Sequence, residues 1–285
     1  MKDNPPNNFA GLLAKFSDYR KSSIVILPVP FDKTSTWLKG ADNGPQAIIE
    51  ASCNLELYDI ETGSEIYKKG ICTEKPVRAS NSKTMINRVY ENVKGLLGDE
   101  KYVVTLGGEH SVSLGAIKAH SEFADKMSVL HLDAHTDMRD TYENNRYSHA
   151  CVMKRVRESI KNTVSVGIRS MDYSELKHIP GNRIIYAEEV HYKKNWINTV
   201  LRKLSKKVYI TIDVDVFDPG IMPSTGTPEP GGLDWYQVIK LLRSVSKNKN
   251  IVGFDVVELC PSHNKAPDFL AAKLIYKLLS YKFFN

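Results

Sequence analysis

Seven short runs rich in aliphatic and β-branched residues recur along this chain, at 24–27, 102–106, 128–132, 163–167, 183–186, 208–212 and 251–255. Several are apolar throughout rather than alternating, which is the pattern of strands covered on both faces. Helix-compatible stretches separate them. Residues 82–97 place Met85, Ile86, Val89, Val93, Leu96 and Leu97 on one stripe, with Ser82 positioned to cap and Gly98 to stop it. Another helix is expected from Ser111, and amphipathic helices over 233–245 and 268–279. This alternation predicts a three-layer α/β/α fold around a mainly parallel sheet. With no internal repeat or linker, the 285 residues read as one domain, residues 1–22 being peripheral.

A parallel sheet brings the C-terminal ends of its strands to one rim, where ligands bind. Three polar stretches fall at such ends: Gly107-Gly108-Glu109-His110, Asp133-Ala134-His135-Thr136-Asp137, and the segment from Asp213 through Asp215 to Asp218. Asp133, His135 and Asp137 are spaced by two, as are Asp213 and Asp215. Side chains at that spacing point the same way in an extended segment. Carboxylates held so close repel unless a cation lies between them. A pair of divalent ions answers this and points to hydrolysis. Two imidazoles (His110, His135) and four carboxylates (Asp133, Asp137, Asp213, Asp215) make an oxygen-rich set, which favours Mn²⁺ over Zn²⁺. His131 precedes its strand end and reads as a packed, hydrogen-bonded histidine.

Other readings lose ground on the same residues. Gly107-Gly108 lacks the Lys-Ser/Thr of a phosphate loop, and GxGxxG, HExxH and GxSxG are absent. The basic clusters (Lys193-Lys194, Arg202-Lys203 with Lys206-Lys207, Lys247 with Lys249) read as solvated surface, without the aromatic interleaving of a nucleic-acid face. No apolar run is long enough to span a bilayer, and the first residues lack the apolar core of a secretory signal. The four cysteines are far apart with no CxxC, so a cytoplasmic protein is expected. Cys151 reads as a small buried side chain.

Two further residues take their meaning from the centre. An isolated His149 would be a helix-entry residue; beside two metals it is a candidate proton shuttle. Glu258 follows the 251–255 run and is, on chemistry alone, open between a surface salt bridge and a site residue. The turn-rich segment 223–232 follows the Asp213–Asp215 segment and reads as a cleft wall.

The stretches GGEHSVSLG, HLDAHTDMRD, SHACVMKR, ITIDVDVFDPGIMPSTGTPEPGGL and FDVVELCP, with a GxxxGP segment from Gly40 to Pro45, resemble the ureohydrolase family of arginases, agmatinases and guanidino-acid hydrolases. The resemblance covers nearly the whole chain in order. It implies an eight-stranded parallel sheet, a trimer or hexamer, and two Mn²⁺ ions. One ion would be held by His110 and Asp137, the other by His135 and Asp215, with Asp133 and Asp213 bridging. His149 matches the family's proton-relay histidine and Glu258 the carboxylate that holds the guanidinium. Asp137 would also hydrogen-bond the tetrahedral adduct and pass its proton.

Residues 138–147, and Ser170 after Gly167-Ile168-Arg169, resemble agmatinases, so agmatine is the expected substrate, with putrescine and urea as products of a polyamine-forming step. Arg139, Asp140 and Glu143 are the charged candidates to face its tail. The alternatives are an arginase, a guanidino-acid hydrolase, a metal-dependent amide deacetylase on the same fold, or a silent relative serving as a binding subunit. Deacetylases of that kind carry a tandem His-His, which this chain lacks.

Overall fold

The structure is a computed structural model that describes residues 7–179 and 181–284. Its strands are β1 (Ile24–Val29), β2 (Ile71–Thr73), β3 (Tyr102–Gly107), β4 (Ser128–Leu132), β5 (Thr163–Ile168), β6 (Ile184–Tyr186), β7 (Lys207–Asp213) and β8 (Asn250–Val257). They form one eight-stranded sheet in the order β2-β1-β3-β8-β7-β4-β5-β6. Every neighbouring pair is parallel.

Successive residues of a strand face opposite sides of the sheet. Ile24, Ile26, Val104, Leu106, Leu130, Leu132, Ile210 and Ile212 join one buried cluster, with the helices Gly44–Ser52, Trp235–Asn248 and Ala266–Phe284. Val25, Leu27, Val103, Val129 and Tyr209 join a second, with the helices Ser82–Gly98, Ser113–Phe123 and Val152–Ser159. Two covered faces explain why the strands are apolar without alternation.

Several sequence expectations are corrected. β2 has three residues at the sheet edge, too few to produce a pattern. Asn81, not Ser82, caps its helix: the Asn81 side chain accepts from the Thr84 N–H. The helix expected from 233 begins at Trp235, where Asp234 and Gln237 make a reciprocal capping box. The last helix, expected over 268–279, runs from Ala266 to Phe284. Of the segment expected to be peripheral, residues 1–6 lie outside the described residues. Phe9, Ala10 and Leu12 belong to the core, because the Phe9 and Ala10 N–H groups donate to Thr73 Oγ1 (2.9 Å) and Ser52 Oγ (2.7 Å).

The topology also places the site. β3 and β4 are consecutive in sequence, yet β8 and β7 lie between them in the sheet. The polar stretches follow β3, β8, β7 and β4, which are four adjacent central strands. Their C-terminal ends share one rim at the point where strand order reverses.

Candidate metal centre

His110 stands just beyond β3 and is buried. Its Nδ1 lies 3.1 Å from Asp133 Oδ2, 3.1 Å from Asp137 Oδ2 and 3.4 Å from Asp213 Oδ2, without a hydrogen bond to any of them. The other ring nitrogen, Nε2, is 2.9 Å from Thr211 Oγ1, whose hydroxyl is 2.7 Å from Asp255 Oδ1. Asp255 in turn accepts from the Tyr209 hydroxyl. A hydroxyl has one hydrogen to give, and the carboxylate takes it; the Thr211 oxygen then accepts from His110 Nε2–H. That network leaves a lone pair on Nδ1, aimed among three carboxylate oxygens. Lone pair and carboxylates repel unless a cation sits between them, so the residues fit a metal ion.

A second group lies alongside. His135 Nδ1 is 2.9 Å from Asp215 Oδ2 and 3.6 Å from Asp133 Oδ1. Ligand atoms of His110, His131, Asp133 and Asp137 form one candidate cluster, those of Asp133, His135 and Asp215 another. Asp133 belongs to both. His131 is buried and bonds Ser165 Oγ (3.0 Å) and Asp133 Oδ2 (2.7 Å), as a packed histidine that aims a carboxylate.

The backbone presets the carboxylates. One oxygen of Asp133 accepts from the His135 N–H, one of Asp213 from the Asp215 N–H, and one of Asp215 from the Ala134 N–H. Asp137 (φ 51°) and Glu258 (φ 66°) both occupy the left-handed region, which costs a non-glycine residue about 1–3 kcal/mol. Strain at two acidic residues of one site is a mark of functional placement. Gly108 passes so close to Phe31 that a Cβ would lie 1.9 Å from the Phe31 carbonyl oxygen. Glycine is therefore needed at 108 for chain packing.

Protonation reports the same excess of negative charge. Burial opposes a charged His135, yet Asp215 and Asp133 outweigh it and push the imidazole up to about 12. Burial, then Asp133, raises Asp137 to about 6. Burial, reinforced by Asp215 and Asp133, holds Asp213 well above the usual carboxylate range. Burial, then Glu109, does the same for Glu258.

The centre opens into a cleft of about 250 Å³. His135, Asp137, Asp213, Asp215, His149 and Glu258 all line it. Glu258 follows β8, and its Oε1 accepts from the His110 N–H at 2.7 Å. A surface salt bridge is thereby excluded for this buried residue. Thr225, Gly226 and Thr227 supply a wall, as the turn-rich segment suggested. Arg169 fixes that wall: its guanidinium donates to the Asp215 and Glu229 carbonyls, both at 2.7 Å. Cys151 is fully buried.

Of the three charged tail candidates, only Arg139 lines the cleft. Asp140 is drawn away by an ion pair with Arg155, and Glu143 sits on an exposed turn. Sequence reasoning missed Thr34, Trp37, Tyr142, Asp172 and Glu175 near the site, and Thr211 and Asp255 beneath it. Thr34, Trp37 and Tyr142 sit on loops without periodicity, Asp172 and Glu175 cap a helix of six residues that is too short to show a stripe, and the last two read as strand interior.

Comparison with known proteins agrees with this geometry. The sequence model of the arginase family matches residues 22–280. The N(1)-aminopropylagmatine ureohydrolase of a Synechocystis species is 37% identical, over 97% of this chain and 96% of that protein. The protein of the same name from Thermus thermophilus is 38% identical, over 94% of this chain and 93% of its own length. The crystal structure of the agmatine ureohydrolase of Thermoplasma volcanium superposes with a TM-score of 0.85 at 33% identity, covering 93% of this chain and 92% of that one. The match sets aside the amide deacetylase. The chain belongs to the arginase family and is an agmatinase-like hydrolase acting on guanidino groups.

Proposed function

We propose that this protein hydrolyses the guanidino group of a cationic alkylguanidine, agmatine or its aminopropyl extension, to urea and the corresponding polyamine. The observation that carries this reading is the pair of His/Asp clusters joined at Asp133, opening beside Glu258 into one cleft. Residues His110, Asp133 and Asp137 would hold one Mn²⁺, and His135, Asp133 and Asp215 the other, with Asp213 shared. When bound, such ions would supply Lewis-acid activation of water as a nucleophile near neutral pH.

The protein's own groups do the rest. The Glu258 carboxylate, fixed by the His110 N–H, accepts from the guanidinium and orients its central carbon. Addition of water there gives a tetrahedral carbon. Asp137 receives the proton released and hands it on. His149 lines the same cleft, and its imidazole is the group placed to take up that proton. His149 then protonates the alkyl nitrogen, the carbon–nitrogen bond breaks, and urea and the amine leave.

Agmatine is the substrate expected from the sequence. The two relatives are named for the longer aminopropyl compound, and the cleft suits either. Beyond the residues given to the metals and the guanidinium, two carboxylates line it, Asp172 and Glu175, against one arginine, Arg139, which already faces them at 3.5 Å and 3.9 Å. An ammonium tail is favoured there over a carboxylate tail.

The test is urea release by Mn²⁺-loaded protein from N1-aminopropylagmatine, agmatine, arginine and guanidinobutyrate. Turnover of the first two is expected. If arginine or guanidinobutyrate were preferred, the tail assignment fails; if none released urea, the hydrolase reading fails.

A further inference from the structure

We propose that Thr34 is a positioning residue that holds the His149 imidazole with its hydrogen on Nδ1 and Nε2 turned to the cleft. The inference rests on the shuttle role given to His149 above. Thr34 lies in the loop after β1, far in sequence from His149. One oxygen, Thr34 Oγ1, meets His149 twice: the backbone N–H donates to it at 3.0 Å, and ring Nδ1 lies 3.2 Å away. The same hydroxyl bonds the fully buried Glu109.

Donor counting sets the direction of these bonds. The Ser111 N–H and O–H donate to Glu109 Oε2 (2.8 Å) and Oε1 (2.9 Å), and the Thr34 O–H completes the set of donors. With its one hydrogen given to Glu109, the Thr34 oxygen has only lone pairs for His149. The backbone amide fills one, and ring Nδ1–H is placed to fill the other. Nε2 is then the proton acceptor, and among the described residues it has no hydrogen-bond partner. A shuttle must gain and lose its proton on the atom that faces the substrate. The Thr34 oxygen serves the neutral and the charged ring alike, since Nδ1 stays protonated in both.

Ser148 Oγ also lies 3.2 Å from Nδ1, but it has no other hydrogen bond among the described residues to hold it in place. Thr34 is tied to ring, backbone and Glu109 at once. It fixes the ring, and Ser148 accompanies it.

The experiment compares Thr34→Val, which keeps the shape and removes the hydroxyl, with Thr34→Ser, Ser148→Ala and His149→Ala, all Mn²⁺-loaded and assayed with the best substrate of the panel. Thr34→Val should lower kcat about 10–100-fold with KM within about threefold, while Thr34→Ser and Ser148→Ala stay within about threefold of the parent. Nitrogen-15 histidine spectra of the metal-free proteins give a readout independent of turnover. The His149 signals, assigned by their loss in His149→Ala, should show the Nδ1–H tautomer in the parent and in Thr34→Ser, and a mixture in Thr34→Val. Metal content and thermal midpoint establish that each variant is folded.

A parental kcat in Thr34→Val, an equal loss in Thr34→Ser, or an unchanged tautomer in Thr34→Val would overturn the proposal. A slow His149→Ala beside a normal Thr34→Val overturns Thr34 alone. A normal His149→Ala removes the shuttle and Thr34's role with it.

Discussion

Replacing Thr211 by valine tests the metal centre without touching a ligand. Thr211 is fully buried, and its hydroxyl lies between His110 Nε2 (2.9 Å) and Asp255 Oδ1 (2.7 Å), with Ser113 Oγ at 3.3 Å. Valine has nearly the same shape, so the core stays filled. Two consequences follow from the lost oxygen. A buried His110 N–H loses its partner, and Asp255 keeps only Tyr209 and Ser113, costing about 1–3 kcal/mol of stability. His110 also loses the contact that keeps the hydrogen on Nε2, so its Nδ1 lone pair is no longer assured. Outer partners of metal-bound histidines are worth about 10–100-fold in affinity, or about 1.4–2.8 kcal/mol.

Calorimetric Mn²⁺ titration and urea release against Mn²⁺ concentration would both shift to weaker binding by that factor. Saturating Mn²⁺ should restore most of the rate. Thr211→Ser should bind as the parent does. A folded Thr211→Val with unaltered Mn²⁺ affinity refutes the view that this network directs His110 toward a cation.

Three other outcomes are expected. Asp133→Ala or Asp213→Ala should lose bound Mn²⁺ and urea release together, measured by elemental analysis and assay; retained metal in either contradicts the shared-ligand geometry. Glu258→Ala should keep its metal but lower kcat/KM by at least about 100-fold; an unaltered value removes Glu258 from substrate binding. Asp59→Asn should cost about 1–3 kcal/mol, because buried Asp59 pairs with Lys277 at 2.9 Å. Burial resists ionisation of Asp59, but Lys277 and the Thr62 donors outweigh it and hold the carboxyl below its usual range. A lowered carboxylate contributes fully above the unfolded pKa of about 3.9 and fades as pH falls through the folded value. The stability gap between parent and variant should thus be constant at pH 5–7 and narrow below about pH 4, by urea midpoints. A gap that widens on acidification shows the sign to be wrong.

The clustered acidic residues and histidines were legible because chemistry and strand periodicity agree at them. Asp133, His135 and Asp137 alternate directly after an apolar run, and alternation there means one shared face. The order β3-β8-β7-β4 was not legible, since local pattern does not encode which strands are neighbours in a sheet. Thr211 was hidden for a related reason: in a strand buried on both sides, a threonine is indistinguishable from a packing residue until Asp255 is seen opposite it. Thr34 and Arg169 act through loops, whose approach to the site is set by tertiary packing. The Ser82 cap failed by one position, because Asn81 competes for the same role with a longer side chain.

The hydrogen bond from the His110 amide to Glu258 ties two duties to one short piece of chain. On the proposed function, the residue that would hold an ion and the one that would bind the guanidinium cannot drift independently. A guanidino inhibitor should therefore sense whether metal is loaded even if it never touches an ion, because emptying the centre loosens its anchor. Occupancy of the inorganic half becomes readable from the organic half, in a dissociation constant and not only in a rate.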